Sequence, residues 1–181
     1  MRPLFYSTII FIVISAGCAG PSVKPNKTDQ MDSTKKENMV YSNTDTSKVN
    51  MSNEEWKKIL PADVYNIARE KGTERAFTGK FLDNKEIGTY KCAACGNSLF
   101  RSNGKFESNC GWPSFFEPVS KGSIIYAPDS SHGMKRTEVM CGRCKSHLGH
   151  VFEDGPPPTG LRYCINSVIL DFEKEGGAGK E

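Results

Sequence analysis

With 181 residues, the chain has room for one ordinary domain with a real hydrophobic core. Hydrophobic residues make up only 37% of it, which indicates that part of the chain does not pack. The net charge is +3. The first 50 residues hold six basic and four acidic residues, which leaves 18 against 17 and a net charge of +1 for the rest. A nearly neutral domain has no electrostatic reason to bind nucleic acid.

Residues 1–18 have the pattern of an export signal, with a basic start, an apolar block from Leu4 to Ile14 and small residues before Cys18. The apolar block is shorter than the about 20 residues that a membrane-spanning helix needs. The last four residues are similar to the bacterial lipobox, in which the cysteine is lipidated, although Ser15 replaces the usual larger aliphatic residue. We expect a lipoprotein signal peptide with lipidation at Cys18; the alternative is a plain secretory signal cut nearby.

Residues 19–50 are dominated by polar residues and Pro, with isolated apolar residues and no visible period. Such a segment cannot bury enough apolar area to offset its ordering entropy, so we predict a flexible tether. The tether would hold a domain at residues 51–172 away from a membrane surface. The charged, Gly-rich tail at residues 173–181 is predicted to be disordered.

Two short helices are predicted at the start of this domain. Ser52 opens a capping box, and Trp56 follows it at helical spacing. Pro61 then begins a second helix that runs to about Lys71, with Gly72 as its stop.

Beyond the helices, short apolar or aromatic runs alternate with turn residues, which is typical of an antiparallel β domain. The predicted strands are Gly88–Cys92, Ser98–Phe100, Lys105–Glu107, Ser123–Tyr126, Thr137–Cys141, Leu148–Phe152 and Leu161–Leu170. The predicted fold class is therefore mainly β with short N-terminal helices.

Four of the seven cysteines form two C-x-x-C pairs, Cys92 with Cys95 and Cys141 with Cys144. Each pair is typical of one knuckle of a structural zinc site, and two knuckles complete a closed tetrahedral shell that does no chemistry. One alternative is an exported domain in which these cysteines form two disulfides. A redox C-x-x-C is disfavoured, because two copies without a βαβ pattern do not indicate a thioredoxin fold.

The strand around Cys164 alternates apolar and polar residues, which indicates that it is half-buried. Side chains two apart share a face, so Arg162, Cys164 and Asn166 point the same way. A nearby guanidinium lowers the pKa of a thiol and favours the nucleophilic thiolate. Cys164 is therefore a candidate nucleophile; the alternative is a small residue on a strand face.

Cys110 is the other cysteine outside the two pairs and the leader, and it lies in a turn-rich, aromatic segment. The sequence leaves three options for Cys110 and Cys164: a structural disulfide, a catalytic pair or unrelated core residues. Trp112, next to a proline in the same loop, is a candidate wall of a binding site, although aromatic residues of small domains are most often core.

His147 and His150 are two of the three histidines in the chain. Three residues apart on a straight strand, they would face opposite ways, so they converge only if the segment turns, which Gly149 permits. Four thiolates already satisfy a zinc ion, which weakens a metal-binding role for them. The remaining alternative is a hydrogen-bonded core histidine. Asp154 begins a rigid turn that leads to the Cys164 strand.

Several motifs, in order between about Ser52 and Phe172, resemble those of type B methionine sulfoxide reductases. They are Glu70–Gly79, Asn109–Phe115, His147–Phe152, Asp154–Pro156 and Arg162–Ser167, with Ala76 where Pro is commoner. The resemblance implies two small antiparallel sheets with peripheral helices. It also implies thiol-dependent reduction of peptide and protein methionine-R-sulfoxide, which repairs oxidised proteins.

The same resemblance implies a role for each matching residue. Cys164 would be the nucleophile, Cys110 the resolving cysteine and Trp112 part of the pocket for the substrate S-methyl group. The residues around the sulfoxide oxygen would be His147, His150, Arg162 and Asn166, with Asp154 in support. The ligands of a structural Zn²⁺ would be Cys92, Cys95, Cys141 and Cys144.

The implied mechanism passes through a Cys164 sulfenic acid and a Cys110–Cys164 disulfide, which a thioredoxin-like reductant reopens. The expected partners are oxidised proteins, that reductant and, through the lipid, a membrane. We expect an exported monomer, anchored as a bacterial lipoprotein that faces the periplasm or the cell exterior. The main rival is a zinc-ribbon binding module without chemistry, in which Cys110 and Cys164 form a static disulfide.

Overall fold

A computed structural model describes residues 38–176, and both helices predicted for the start of the domain lie within this range. The predicted signal peptide, Cys18 and the first part of the predicted tether lie outside the described residues, as do the last five residues of the predicted tail. Neither of the two helices between residues 38 and 176 is long and apolar enough to cross a membrane.

Helix α1 spans Asn53–Ile59 and begins at the predicted capping box. The backbone N–H of Ser52 donates to the Glu55 carboxylate at 2.8 Å, and the backbone N–H of Glu55 donates to the Ser52 hydroxyl at 3.3 Å. These reciprocal bonds satisfy amide groups that have no partner within the helix. Trp56 on this helix is completely buried.

Helix α2 spans Ala62–Glu70 and ends one residue earlier than predicted. Lys71, rather than Gly72, follows the last helical residue and adopts the left-handed conformation with φ of 56°. Its ammonium group lies 2.7 Å from the Glu138 carboxylate. Glycine is required at position 72 for a steric reason: a Cβ there would lie 1.9 Å from Oδ1 of Asn66.

Within residues 38–176 the strands form two antiparallel sheets, which confirms the predicted mainly-β class. The strands are β1 (Gly88–Cys92), β2 (Ser98–Arg101), β3 (Lys105–Phe106), β4 (Ser114–Phe115), β5 (Ile124–Asp129), β6 (Arg136–Cys141), β7 (His147–Phe152), β8 (Arg162–Ile165) and β9 (Leu170–Lys174). The first sheet has the order β2-β1-β9, and the second has the order β3-β4-β8-β7-β6-β5.

Aromatic side chains from both sheets meet in the core. Phe100 on β2 stacks on Phe115 on β4 with ring centroids 4.4 Å apart, and Tyr90 on β1 meets Phe115 edge-on at 5.0 Å. Tyr163 on β8 also contacts Phe100, at 5.7 Å. Each such pair contributes about 0.5–1.5 kcal/mol beyond the burial of its area. The core thus holds β4 and β8, the strands around the candidate nucleophile, against the first sheet.

The single strand predicted for Leu161–Leu170 is wrong in its middle, because the structure divides it into β8 and β9. Between them, the backbone N–H groups of Ser167 and Val168 donate to the carboxylate of Glu74 at 2.6 and 2.9 Å. Since a side chain satisfies these amides, the chain leaves one sheet here and joins the other. Asn166 is thereby placed just beyond the end of β8.

The tether predicted for residues 19–50 is wrong in its last part, because residues 38–50 pack against the two C-x-x-C turns. We call residues 38–50 the strap. Arg143, from the second turn, is 4% exposed and donates to the carbonyl oxygens of Val40 at 2.9 Å and Ser47 at 3.1 Å. It also pairs with the Asp45 carboxylate at 2.7 Å. Buried guanidinium donors of the domain therefore order the strap, although its own composition is polar.

The strap contacts the first C-x-x-C turn as well. The backbone N–H of Ser42 donates to the carbonyl of Cys95 at 3.1 Å, and the Asn38 side chain donates to the carbonyl of Ala94 at 2.9 Å. The guanidinium of Arg143 donates to the same Cys95 carbonyl. The strap thus links both turns.

The predicted boundary at residue 172 is also too early. Strand β9 continues to Lys174, and Glu173 pairs with the buried ammonium group of Lys91 at 2.6 Å. Pairing with β1 therefore orders the first residues of the segment predicted to be disordered.

Candidate active site and metal centre

The four cysteines of the two C-x-x-C pairs converge in one buried cluster. Sγ of Cys92 lies 3.8 Å from Sγ of Cys144, and Sγ of Cys95 lies 3.6 Å from Sγ of Cys141. All four sulfur atoms lie within 4.8 Å of one another. Zn–S bonds of about 2.3 Å in a tetrahedron place sulfur atoms roughly 3.8 Å apart. The cluster therefore fits a metal ion, and its spacing is well beyond the about 2.05 Å of a disulfide.

Cys164 lies on β8, in the middle of the second sheet. Its cross-strand partners are Ser114 on β4 and His150 on β7. This register brings the candidate nucleophile, the segment after Cys110 and one of the two histidines together, although they are far apart in the sequence.

The thiols of Cys110 and Cys164 are in contact, with the two Sγ atoms 3.3 Å apart. The hydroxyls of Ser108 and Ser114 lie 3.0 and 3.3 Å from Sγ of Cys110. Hydrogen bonds from Cys164 and then from the two serines lower the pKa of Cys110 to about 4. The contact with Cys110, followed by burial, raises the pKa of Cys164, whereas the charge of Arg162 acts to lower it. A thiolate on either sulfur is stabilised by a hydrogen bond from the other, so the two thiols titrate as a pair. Within this pair, the charge of Arg162 favours the thiolate on Cys164.

A shallow cavity of about 110 Å³ opens beside Cys164. Its lining residues are Thr73, Trp112, Arg136, Gly149, His150, Phe152, Cys164 and Asn166. The indole N–H of Trp112 donates to the carbonyl of Glu74 at 3.2 Å, which fixes the ring as one wall. Cys110 is not among the lining residues, so Cys164 is the thiol of the pair that an entering molecule meets.

His147 and His150 lie on the same side of β7, with ring centroids 5.4 Å apart. The cause is a bulge: Val139 pairs with Gly149 but Met140 pairs with His147, so Leu148 is an extra residue. A Cβ on Gly149 would lie 2.0 Å from the carbonyl oxygen of Cys164, so only glycine allows this approach.

The two histidines have different environments. His150 lines the cavity, and its Nε2 lies 2.7 Å from the Asp129 carboxylate. His147 is 3% exposed, and its Nδ1 lies 2.7 Å from the Glu138 carboxylate. Burial lowers the pKa of His147, and the hydrogen bond that its Nδ1–H donates to Glu138 only partly opposes this shift. Of the two, His150 is therefore the one placed to meet a bound molecule.

Asn166 is held by two hydrogen bonds. Its side-chain N–H donates to the carbonyl of Leu148 at 3.0 Å, and its side-chain oxygen accepts the backbone N–H of Glu74 at 3.0 Å. Asn166 lines the cavity beside Cys164. The amide thus connects β7 with the segment that supports Trp112.

Arg162 binds Asp154 through two parallel hydrogen bonds of 2.9 and 2.8 Å, and this pairing raises the pKa of Arg162. Its guanidinium lies over the ring of Phe152, 4.5 Å from the centroid. Neither Arg162 nor Asp154 is among the residues that line the cavity. Arg162 therefore acts on Cys164 through its charge from outside the cavity lining, and Asp154 acts on Arg162 in the same way.

Residues 60–174 match the family model described as the SelR domain. A relative from Leptospira interrogans is 60% identical over 127 residues, which cover 70% of this chain and 97% of the relative. Relatives from Pseudomonas putida and Methanosarcina mazei are each 56% identical, over 72% and 75% of this chain and 98% and 96% of their own. All three are named peptide methionine sulfoxide reductase MsrB. The chain belongs to the type B methionine sulfoxide reductase family.

In this type B family member, the strap and α1 precede the residues that match the family model, which begin at residue 60. The family predicted from the sequence motifs is confirmed. Four charged residues of the site were not assigned a role from sequence: Glu74, Asp129, Arg136 and Glu138. Glu138 could have been identified from the sequence, because it is a charged residue within the predicted strand Thr137–Cys141. Asp129 fell outside the predicted strands, because β5 runs three residues beyond the predicted Tyr126.

Proposed function

We propose that this type B reductase reduces peptide- and protein-bound methionine-R-sulfoxide, with Cys164 as the nucleophile and Cys110 as the resolving thiol. The observation that carries the proposal is the cavity beside Cys164, walled by Trp112, with Cys110 in contact with Cys164 but outside the cavity lining. The names of the relatives support the reaction class.

In the first step, the Cys164 thiolate attacks the sulfoxide sulfur while Trp112 contacts the S-methyl group. The sulfoxide oxygen gains negative charge and takes a proton from His150. Asn166 lies beside it in the cavity, and His147 and Arg162 act on the site from outside the cavity lining. The S–O bond and the transient bond between the substrate sulfur and Sγ of Cys164 then break, and the oxygen passes with its proton to Cys164, which becomes a sulfenic acid as methionine leaves. The substrate sulfur is reduced by two electrons, and the sulfur of Cys164 is oxidised by two.

In the second step, the Cys110 thiol condenses with the Cys164 sulfenic acid, forming a disulfide and releasing water. A thioredoxin-like dithiol then attacks this disulfide, so that both cysteines return as thiols and the partner leaves as a disulfide. The contact between the two Sγ atoms supports this sequence, because condensation requires only a small side-chain movement.

We propose that the metal of the cysteine cluster is Zn²⁺, held by Cys92, Cys95, Cys141 and Cys144. Four thiolates are the ligand set of structural zinc sites, and when bound the ion would stabilise the fold. With four cysteines around it, the ion would have no open coordination position and would take no part in the reaction of Cys164.

We propose that the chain is an exported monomer, anchored to a membrane by a lipid on Cys18, because its first 18 residues combine an export signal with a lipobox-like end. The test compares fatty-acid labelling and membrane fractionation of the wild-type protein and Cys18→Ala in a bacterial host. The label and the membrane association are both expected to disappear in the variant. Export of an unlabelled wild-type protein would contradict the anchor.

The reaction is tested with an assay that resolves the R and S epimers of an oxidised methionine peptide, driven by dithiothreitol. The wild-type enzyme is expected to consume the R epimer only, and Cys164→Ser to consume neither. Normal turnover by Cys164→Ser would refute the proposal. A static disulfide in a binding module instead predicts that neither protein reduces either epimer.

A further inference from the structure

The Asp129 carboxylate binds two cavity residues at once. Its Oδ2 lies 2.7 Å from Nε2 of His150 and 2.7 Å from Nη2 of Arg136. Its Oδ1 accepts the backbone N–H of Ser131 at 2.9 Å. Asp129 ends β5 and is the cross-strand partner of Arg136 at the start of β6. Contacts from two strands and a turn thus fix this carboxylate beside the imidazole.

The contact with Asp129 determines which nitrogen of His150 is available for chemistry. An imidazole that donates its Nε2–H to a carboxylate keeps Nδ1 for proton exchange. Within residues 38–176, Nδ1 of His150 makes no hydrogen bond, and His150 is the cross-strand partner of Cys164. The free nitrogen therefore belongs to a ring that lines the cavity beside the nucleophile.

The position of Arg136 in the site lowers the stability of the folded state. Its Nη2 donates to Asp129 and, at 3.2 Å, to the Ser131 hydroxyl. Its Nε is buried and has no hydrogen-bond partner in the described part of the chain, which destabilises the folded state. Hydrogen bonds from Ser131 and His150, together with the charge of Arg136, keep the pKa of Asp129 well below its usual range. The arginine thus helps keep the carboxylate charged.

We propose that Asp129 and Arg136 are positioning residues for His150, an inference that rests on the proposed function. Asp129 orients the ring and stabilises the imidazolium, and Arg136 holds the Asp129 carboxylate in place. In the reaction, Nδ1–H of the imidazolium gives its proton to the sulfoxide oxygen. The neutral ring keeps its other proton on Nε2, hydrogen-bonded to Asp129, and Nδ1 is reprotonated from solvent.

The test is a double-mutant cycle on kcat with a methionine-R-sulfoxide peptide. Its members are the wild-type enzyme, Asp129→Asn, His150→Ala and the double variant. A well-placed general acid contributes about 10²–10⁴-fold, so Asp129→Asn is expected to lower kcat by about 10- to 100-fold with little change in KM. In the His150→Ala background, the same substitution is expected to cost less than about twofold. Equal losses in both backgrounds, or no loss, would overturn the proposal.

Arg136 is tested by comparing Arg136→Lys with Arg136→Met. Lysine keeps a charge beside Asp129, so Arg136→Lys is expected to retain more kcat than Arg136→Met. A kcat equal to that of the wild-type enzyme in both variants would refute the positioning role of Arg136. The matched control is Glu107→Gln, which removes a carboxylate from an exposed ion pair with Lys85 and is expected to leave kcat unchanged.

A nitrogen-15 NMR spectrum of the histidine rings separates this inference from the proposed function, because it needs no activity. The wild-type His150 ring is expected to carry its neutral-form proton on Nε2, and Asp129→Asn is expected to shift protonation toward Nδ1. A wild-type enzyme that fails to reduce the R epimer would refute the proposed function whatever the spectrum shows. An active enzyme with the neutral-form proton of His150 on Nδ1 would refute the positioning role alone.

Discussion

The Sγ atoms of Cys110 and Cys164 lie 3.3 Å apart as free thiols, and only Cys164 lines the cavity. In the proposed reaction, the sulfur that lines the cavity meets the substrate, and the other is placed to react with its oxidised product. The distance exceeds a disulfide bond of about 2.05 Å by little enough for side-chain rotation to close it.

Cys110→Ser is expected to separate the two chemical steps. Without a resolving thiol, the first substrate molecule is still reduced but Cys164 remains a sulfenic acid. A rapid-quench experiment should therefore release about one methionine per active site, with no further turnover driven by thioredoxin. Cys164→Ser is the control and should show no burst. Sustained thioredoxin-driven turnover by Cys110→Ser would contradict the role of Cys110.

Glu74→Gln is expected to weaken both the fold and the cavity wall. The Glu74 carboxylate accepts the backbone N–H groups of Ser167 and Val168, and its backbone binds Trp112 and Asn166. Hydrogen bonds to a charged group are worth about 1.5–3 kcal/mol, so the neutral amide should lower the free energy of unfolding by roughly 1–3 kcal/mol. A raised KM should accompany this loss, since Trp112 and Asn166 shift.

Urea denaturation and steady-state kinetics measure these two effects. Glu70→Gln is the matched control, because it neutralises an exposed carboxylate at the end of α2. If Glu74→Gln is as stable and as active as Glu70→Gln, the carboxylate is not what holds the segment between β8 and β9.

Arg143→Met is expected to release the strap from the metal centre. The variant leaves the carbonyl oxygens of Val40, Ser47 and Cys95 without this donor, at a cost of about 1–3 kcal/mol. Such a loss lowers the melting temperature of a domain of this size by roughly 2–12 °C, at about 2–4 °C for each kcal/mol. Faster transfer of the proposed Zn²⁺ ion to a coloured chelator should accompany it. Lys145→Met, at an exposed position next to the same cysteine turn, is the control.

Stability is expected to fall on acidification, starting with His147. Burial lowers the pKa of His147 below its usual 6.5, so the unfolded chain binds the proton first. The free energy of unfolding should therefore decrease as the pH drops below about 6.5, and it should stop decreasing for this group below its folded-state pKa.

Glu138 makes the free energy of unfolding depend on pH over a second, more acidic window. Burial raises the pKa of Glu138, but hydrogen bonds from Lys71 and His147 outweigh it and lower the pKa below the usual 4.5. Its contribution is present above about pH 4.5 and disappears as the pH falls through the folded-state value. Urea denaturation between pH 7.5 and about 2.5 measures both windows. His147→Gln should remove the loss of stability that begins below about pH 6.5. An unchanged pH dependence in that variant would contradict the assignment of this window to His147.

Local signals account for what could be predicted. The capping box at Ser52 and the C-x-x-C pairs depend on residues three apart, so the sequence displays them directly. The strand around Cys164 was visible as a period of two, and the position of Cys164 on β8 agrees with it. Chemical roles for single residues came from the family motifs, since periodicity identifies a face but not a reaction.

Long-range contacts account for what was missed. The bulge at Leu148 depends on the pairing of β7 with β6. Gly149 showed that the segment could turn, but the sequence does not show which residue is the extra one. Glu74 ends the pairing of β8 from 93 residues away in the sequence. The strap is ordered by Arg143, 103 residues from Val40, so its own polar composition could not reveal it.

The strap also sets how far the catalytic domain can stand from its proposed anchor. A free segment from Cys18 to Asn50 would span at most roughly 110 Å at about 3.5 Å per residue. Because Asn38 is already bound to Ala94, only 20 residues separate the domain from Cys18, and the limit falls to about 70 Å. With a lipid at Cys18, the enzyme would serve a thin layer next to the membrane, and the proteins repaired would be those exposed within it.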